Sequence, residues 1–117
     1  MDEQLTRTML FDLYGDLLTK KQREYFHLHY NEDLSLSEIA ESEGISRQGV
    51  WDNIRRAEAA LQEIEEKTGL VRRFSETMET LEELSGMLKR LAALTDGEAG
   101  ELVSNMKDRI DELRAQS

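Results

Sequence analysis

Leu36-Ser37-Glu38-Ile39-Ala40-Glu41-Ser42-Glu43-Gly44-Ile45-Ser46-Arg47-Gln48-Gly49-Val50 reads as two helices around a tight turn. Ala40 is small enough for two helices to cross closely, and Gly44 can take the positive φ that such a turn needs. Ile45 and Val50 are placed to lock the second helix onto the first. Ser35 stands three residues before Glu38, a capping-box spacing that opens the first helix over Leu36 to Glu43 with Leu36, Ile39 and Ala40 inward. Ser46 caps the second helix, whose apolar residues Val50, Ile54, Ala57, Leu61 and Ile64 recur at 4, 3, 4 and 3. That stripe continues for turns beyond a compact motif, until Lys67-Thr68-Gly69 ends it.

Toward the N-terminus, Thr19 and Gln22 repeat the capping spacing and start a helix through Tyr30, with Asn31-Glu32-Asp33 as the break after it. Leu5, Met9, Leu13 and Leu17 recur every four residues and predict a first helix ending near Gly15 to Leu18. Toward the C-terminus, Phe74, Met78, Leu81, Leu84, Leu88 and Leu91 fall at 4, 3, 3, 4 and 3, so Leu70 to Leu94 predicts one helix. Its length is about 37 Å at 1.5 Å per residue. Thr95 and Glu98 supply another capping spacing before a last helix carrying Ala99, Val103, Met106, Ile110 and Leu113.

The expected architecture is therefore all-α: a helix-turn-helix module over residues 1–68 and a helical hairpin over 69–117. Two helices alone bury too little to be stable, so the dry face of the hairpin must pack on the long fourth helix, on a second copy of the chain, or on both. The candidates for self-association, and hence for a homodimer, are Phe74, Met78, Leu81, Leu84, Leu88, Leu91, Val103, Met106, Ile110 and Leu113.

Composition agrees with helix and limits chemistry. The chain of 117 residues has no Pro to break a helix, and with no Cys it has neither disulfides nor thiolate metal ligands. Its formal charge of −10 opposes a grip on nucleic acid through the overall field. Met1-Asp2-Glu3-Gln4 is acidic where a secretory signal is basic, and the longest apolar run is Leu91-Ala92-Ala93-Leu94, so a soluble, cytoplasmic protein with no membrane insertion is expected.

No enzyme, metal or cofactor is expected either. His27 and His29 are two apart on a helix and point in different directions, while Glu65-Glu66 and Glu82-Glu83 are adjacent rather than one turn apart. There is no glycine-rich phosphate loop, nucleophile elbow or zinc spacing. Tyr25, Phe26, Trp51 and Phe74 are placed for core or dimer packing rather than for stacking on bases.

Thr19 to Phe26, Asp33 to Ala40 and Ser46 to Ala57 together resemble region 4 of bacterial sigma factors over about 45 residues. Leu10-Phe11-Asp12-Leu13-Tyr14-Gly15-Asp16-Leu17-Leu18-Thr19 and the length of the chain are closer still to the YlxM family, small helix-turn-helix proteins usually encoded beside the GTPase of the bacterial signal recognition particle. This resemblance implies an accessory or regulatory role in co-translational targeting, with that GTPase or the particle's RNA as partner. It brings no catalytic or binding residues with it.

From the residues themselves, the candidate nucleic-acid contacts are Ser46, Arg47, Gln48, Asp52, Arg55 and Arg56, with Asn53 at the edge. Arg and Gln can read base edges, and Arg55 and Arg56 can meet phosphates. Ser46 to Arg56 carries a local charge of +2, but residues 1–68 hold eight Lys/Arg against fifteen Asp/Glu, a net of −7. A grip on duplex would be weak and salt-sensitive. The sequence also departs from the sigma pattern: Glu58 to Glu66 is acidic where sigma factors continue basic, Gly49 offers no side chain to a groove, and Trp51 replaces a polar contact residue. DNA recognition by a transcriptional regulator, RNA or ribonucleoprotein binding, and protein docking all stay open.

Overall fold

The computed structural model describes residues 2–116, which form helices and no strand. In order these are α1 (Glu3–Tyr14), α2 (Lys20–Phe26), α3 (Leu36–Glu43), α4 (Arg47–Thr68), α5 (Leu70–Leu94) and α6 (Gly97–Ala115). A short 3₁₀ turn over Gly15–Leu17 joins α1 to α2. None of these helices is long and apolar enough to cross a membrane. The chain divides into two compact units, residues 1–71 and 72–117, called here the head and the tail.

The head is organised by α4. Val50 and Ile54 close one buried cluster with Tyr25, Ile39 and Ala40, and one turn later Ala57 and Leu61 close a second with Leu10, Tyr14, Phe26 and Val71. Tyr25 and Phe26 are consecutive, about 100° apart on α2, and each enters a different cluster. Both expected capping boxes in the head form: Thr19 with Gln22 at 3.1 and 3.2 Å, Ser35 with Glu38 at 3.0 and 3.1 Å. Ser46 Oγ accepts the Gly49 N–H at 3.0 Å and starts α4 as expected.

Three local expectations are corrected. The first helix forms, but Leu5, Leu13 and Leu17, whose spacing predicts it, are at least half exposed; Leu17 lies in the 3₁₀ turn after α1, and Leu10 and Tyr14 are buried instead. The cause is polar: the Tyr14 hydroxyl donates to Glu65 Oε1 at 2.9 Å and also bonds Thr68 Oγ1, which turns that side of α1 toward α4. Ile45 does not lock the turn, being 40% exposed, so Val50 alone of that pair reaches the core. The helix expected through Tyr30 widens after Phe26 into a π turn, His27–Asn31, closed by the Glu32 N–H on His27 O at 3.1 Å.

In the tail, α5 and α6 run antiparallel, joined by Ser85 Oγ donating to Asp111 Oδ1 at 2.8 Å. Lys107 and Arg114 also bond that carboxylate, at 2.6 and 3.3 Å, and hold its pKa down at about 2. Hydrogen bonding from Lys107 is the largest cause and that from Ser85 the next. The third capping box does not form. Thr95 Oγ1 donates back to Leu91 O at 2.9 Å, and Asp96 takes the cap position without a side-chain bond, followed by Gly97 at φ 61°.

Candidate nucleic-acid interface

Gly44 makes the turn that presents α4. It ends α3 at φ 70°, with its own N–H and that of Ile45 bonded to Ala40 O at 2.9 and 3.2 Å. A side chain in that region of φ is strained, so the turn depends on glycine. Beyond it, the first turn of α4 and the start of α3 enclose a shallow depression lined by Leu36, Ser37, Ser46, Arg47, Gln48 and Trp51.

The candidate contacts do not all share this depression. Ser46, Arg47 and Gln48 line it; Arg55, two turns on, lines a 550 Å³ groove between α1 and α4 with Arg7, Leu10 and Glu58; Arg56 is exposed and lines neither. Asp52 accepts from Gln48 Nε2 at 2.9 Å, which couples those two across one helical turn. Ser46 is committed to capping, and Asn53 Nδ2 donates to Gly49 O at 2.9 Å, so its amide bonds its own helix. Arg47, Arg55 and Arg56 are exposed and have no ion pair among the described residues. Trp51 is half-buried against the Val50 and Ile54 cluster, its ring edge-on to His29 at 6.5 Å.

The acidic second half of α4 has structural partners that the sequence reading missed. Glu58 accepts the Tyr30 hydroxyl and lies 3.9 Å from the Arg7 guanidinium, which itself stacks 4.2 Å above the Tyr30 ring. Burial first, and the bond to Glu58 second, push Tyr30 up to about 12. Glu65 accepts both Tyr14 OH and the Val71 N–H, the latter at 3.0 Å. These carboxylates tie α1, the π turn and the start of α5 to α4. Only Tyr14 and Tyr30, whose hydroxyls must find acceptors once their rings pack inside, hinted at this in the sequence.

Neither histidine takes part in a metal cluster. His27 Nε2 faces Glu32 at 3.2 Å and His29 Nδ1 meets Leu34 O at 2.8 Å. Among the described residues no group of three His, Cys, Asp or Glu side chains could hold an ion. Tyr25 and Phe26 are core residues at 2% and 1% exposure, whereas Phe74 is 38% exposed. Of the self-association candidates, Leu88 and Val103 are buried and Met78, Leu81 and Ile110 are half-buried; Phe74, Leu84, Leu91, Met106 and Leu113 are exposed. Leu88 and Val103 therefore offer no ridge to a second copy. Met87, Leu94 and Leu102 are exposed as well, and the stripe spacing did not single them out.

A family model matches residues 1–97, and its description is "Putative helix-turn-helix protein, YlxM / p13 like". The chain is 40% identical over 114 residues to a UPF0122 protein of Acetivibrio thermocellus, covering 97% of each, and 42% identical over 113 residues to one of Shouchella clausii, covering 97% and 98%. A UPF0122 protein of Thermoanaerobacter sp. (strain X514) is 54% identical over 77 residues, 66% of each chain. With the turn at Gly44, the capped α4 and a match over most of its length, the chain belongs to the UPF0122 family of YlxM/p13-like helix-turn-helix proteins.

Proposed function

We propose that the chain is a non-catalytic helix-turn-helix adaptor or regulator of the bacterial signal recognition particle pathway, which binds RNA or a ribonucleoprotein through the head and pairs with a second copy through the tail. The observation that carries this reading is the set of three exposed arginines on α4, Arg47, Arg55 and Arg56, with no ion pair among the described residues. Exposed guanidinium groups are matched to phosphates and base edges.

The surrounding charge favours a ribonucleoprotein over bare duplex. A chain at −10 repels naked nucleic acid, and a local +2 offsets little of that at physiological salt. A partner that presents phosphates beside basic protein meets both the arginines and the acidic body. The link to the signal recognition particle rests on resemblance to the YlxM family.

The test is a pull-down with the full chain at physiological salt, from a reconstituted mixture of the particle's GTPase, its RNA and random duplex DNA. Recovery of the GTPase or the RNA, reduced by Arg47→Ala, is expected. Recovery of neither would overturn the reading, and strong preference for one duplex site over random DNA would replace it with a transcriptional regulator.

A further inference from the structure

Taking the self-association proposed above as given, we infer that two copies pair antiparallel along α5, on a two-fold axis at Met87. The exposed apolar residues of the tail are ordered. Leu84, Met87, Leu91 and Leu94 recur at 3, 4 and 3 and form one stripe on α5, 39%, 61%, 43% and 82% exposed. At 100° per residue this stripe lies about 110° around α5 from Ser85 and Leu88, which are buried. Leu102, Met106 and Leu113 form a second exposed stripe, about 120° around α6 from the line of Val103, Lys107 and Asp111. Both rotations run in the same sense of residue number. In an antiparallel pair of helices that brings the two stripes to the same side of the hairpin.

The result is one apolar face carrying seven exposed leucine and methionine side chains, Leu84, Met87, Leu91, Leu94, Leu102, Met106 and Leu113, a contiguous patch of the kind that marks an interaction surface. Its pattern fits a second copy. An antiparallel crossing at Met87 sets Leu84 on Leu91 of the second copy and Thr80 on Leu94 of the second copy, each contact made twice by symmetry.

Charge then chooses the direction. Glu83 and Arg90 are one heptad apart on the outer edge of the stripe, and neither has an ion pair among the described residues. The antiparallel crossing places Glu83 beside Arg90 of the second copy on both sides of the axis, next to the Leu84–Leu91 contacts. A parallel crossing would set this edge of one copy against the opposite edge of the other, and neither Glu83–Arg90 pair would form.

The absence of Cys from the sequence makes the test direct. Sedimentation of the full chain at micromolar concentration should show a two-chain mass, and Leu91→Glu should give a one-chain mass with the thermal transition of the head unchanged. A differently tagged mixture of the Leu84→Cys and Leu91→Cys chains should form a mixed disulfide under mild oxidation, while Leu84→Cys alone should not. Glu83→Arg and Arg90→Glu should each weaken the dimer by about tenfold or more, and the double variant should restore it. A one-chain mass for the unaltered protein would overturn self-association and with it this geometry. A two-chain mass in which Leu84→Cys crosslinks to itself would overturn the antiparallel pairing alone.

Discussion

Residues 1–71 bury Tyr25, Phe26, Ile39, Val50, Ile54 and Leu61 to 2% exposure or less, whereas the buried residues of 72–116 are Ser85, Leu88 and Val103. Both regions have amphipathic helices with leucines at helical spacing. They differ in how many elements converge. In the head α4 is covered by α1, α2 and α3, so both clusters are enclosed from several directions. Within the tail two helices face each other along one line, and many of their leucine and methionine side chains are exposed. Periodicity alone thus gives an amphipathic helix, and the number of neighbours decides whether its apolar face is a core or an interface.

Truncation should separate the two regions most clearly. Phe26→Ala, in the head, should cost about 3–5 kcal/mol in urea denaturation. Leu91→Ala, in the tail, should leave the head transition within about 0.5 kcal/mol of its original position. Equal losses would remove the distinction. Ser46→Ala should cost about 1 kcal/mol, because it leaves the Gly49 N–H without its capping oxygen. The same measurement on Thr95→Ala, where no capping box forms, should show less.

Two titrations sharpen the comparison further. Tyr30 is pushed up to about 12, chiefly by burial and then by its bond to Glu58. A raised pKa contributes stability that is complete below the ordinary value near 10 and is lost as pH rises through 12. Phenolate absorbance should therefore show Tyr30 ionising above the ordinary tyrosine range, and Glu58→Gln should move it earlier. Asp111, in the tail, is held at about 2, chiefly by hydrogen bonding from Lys107. A lowered pKa contributes stability that is present above the ordinary value near 3.8 and is lost as pH falls toward 2. Amide exchange in α5 and α6 should accelerate over that interval, and Asp111→Asn should flatten the dependence.

Local signals were the legible ones. Thr19 with Gln22, Ser35 with Glu38, and Gly44 each act within a few residues, and the structure places all of them as the sequence implies. The inner face of α1 was not legible, because it is chosen by Tyr14 meeting Glu65 and Thr68, 51 and 54 residues away. Thr95 and Glu98 have the same spacing as Thr19 and Gln22, yet Asp96 becomes the cap and Gly97 takes φ 61°, so spacing without backbone conformation misleads there. At the candidate interface, the exposure of Arg47, Arg55 and Arg56 followed from the stripe they avoid. The commitment of Glu58 and Glu65 to tyrosine hydroxyls did not, since both partners are distant in sequence.

The central claim is that the arginines of α4 meet nucleic-acid phosphates. The most direct measurement is the salt dependence of binding between the full chain and fluorescent signal recognition particle RNA, with Arg47, Arg55 and Arg56 each changed to Ala. Affinity should fall for each variant, and the slope of log K against log salt should shrink by about one for each phosphate contact removed. Unaltered affinity and slope in all three variants would contradict the account.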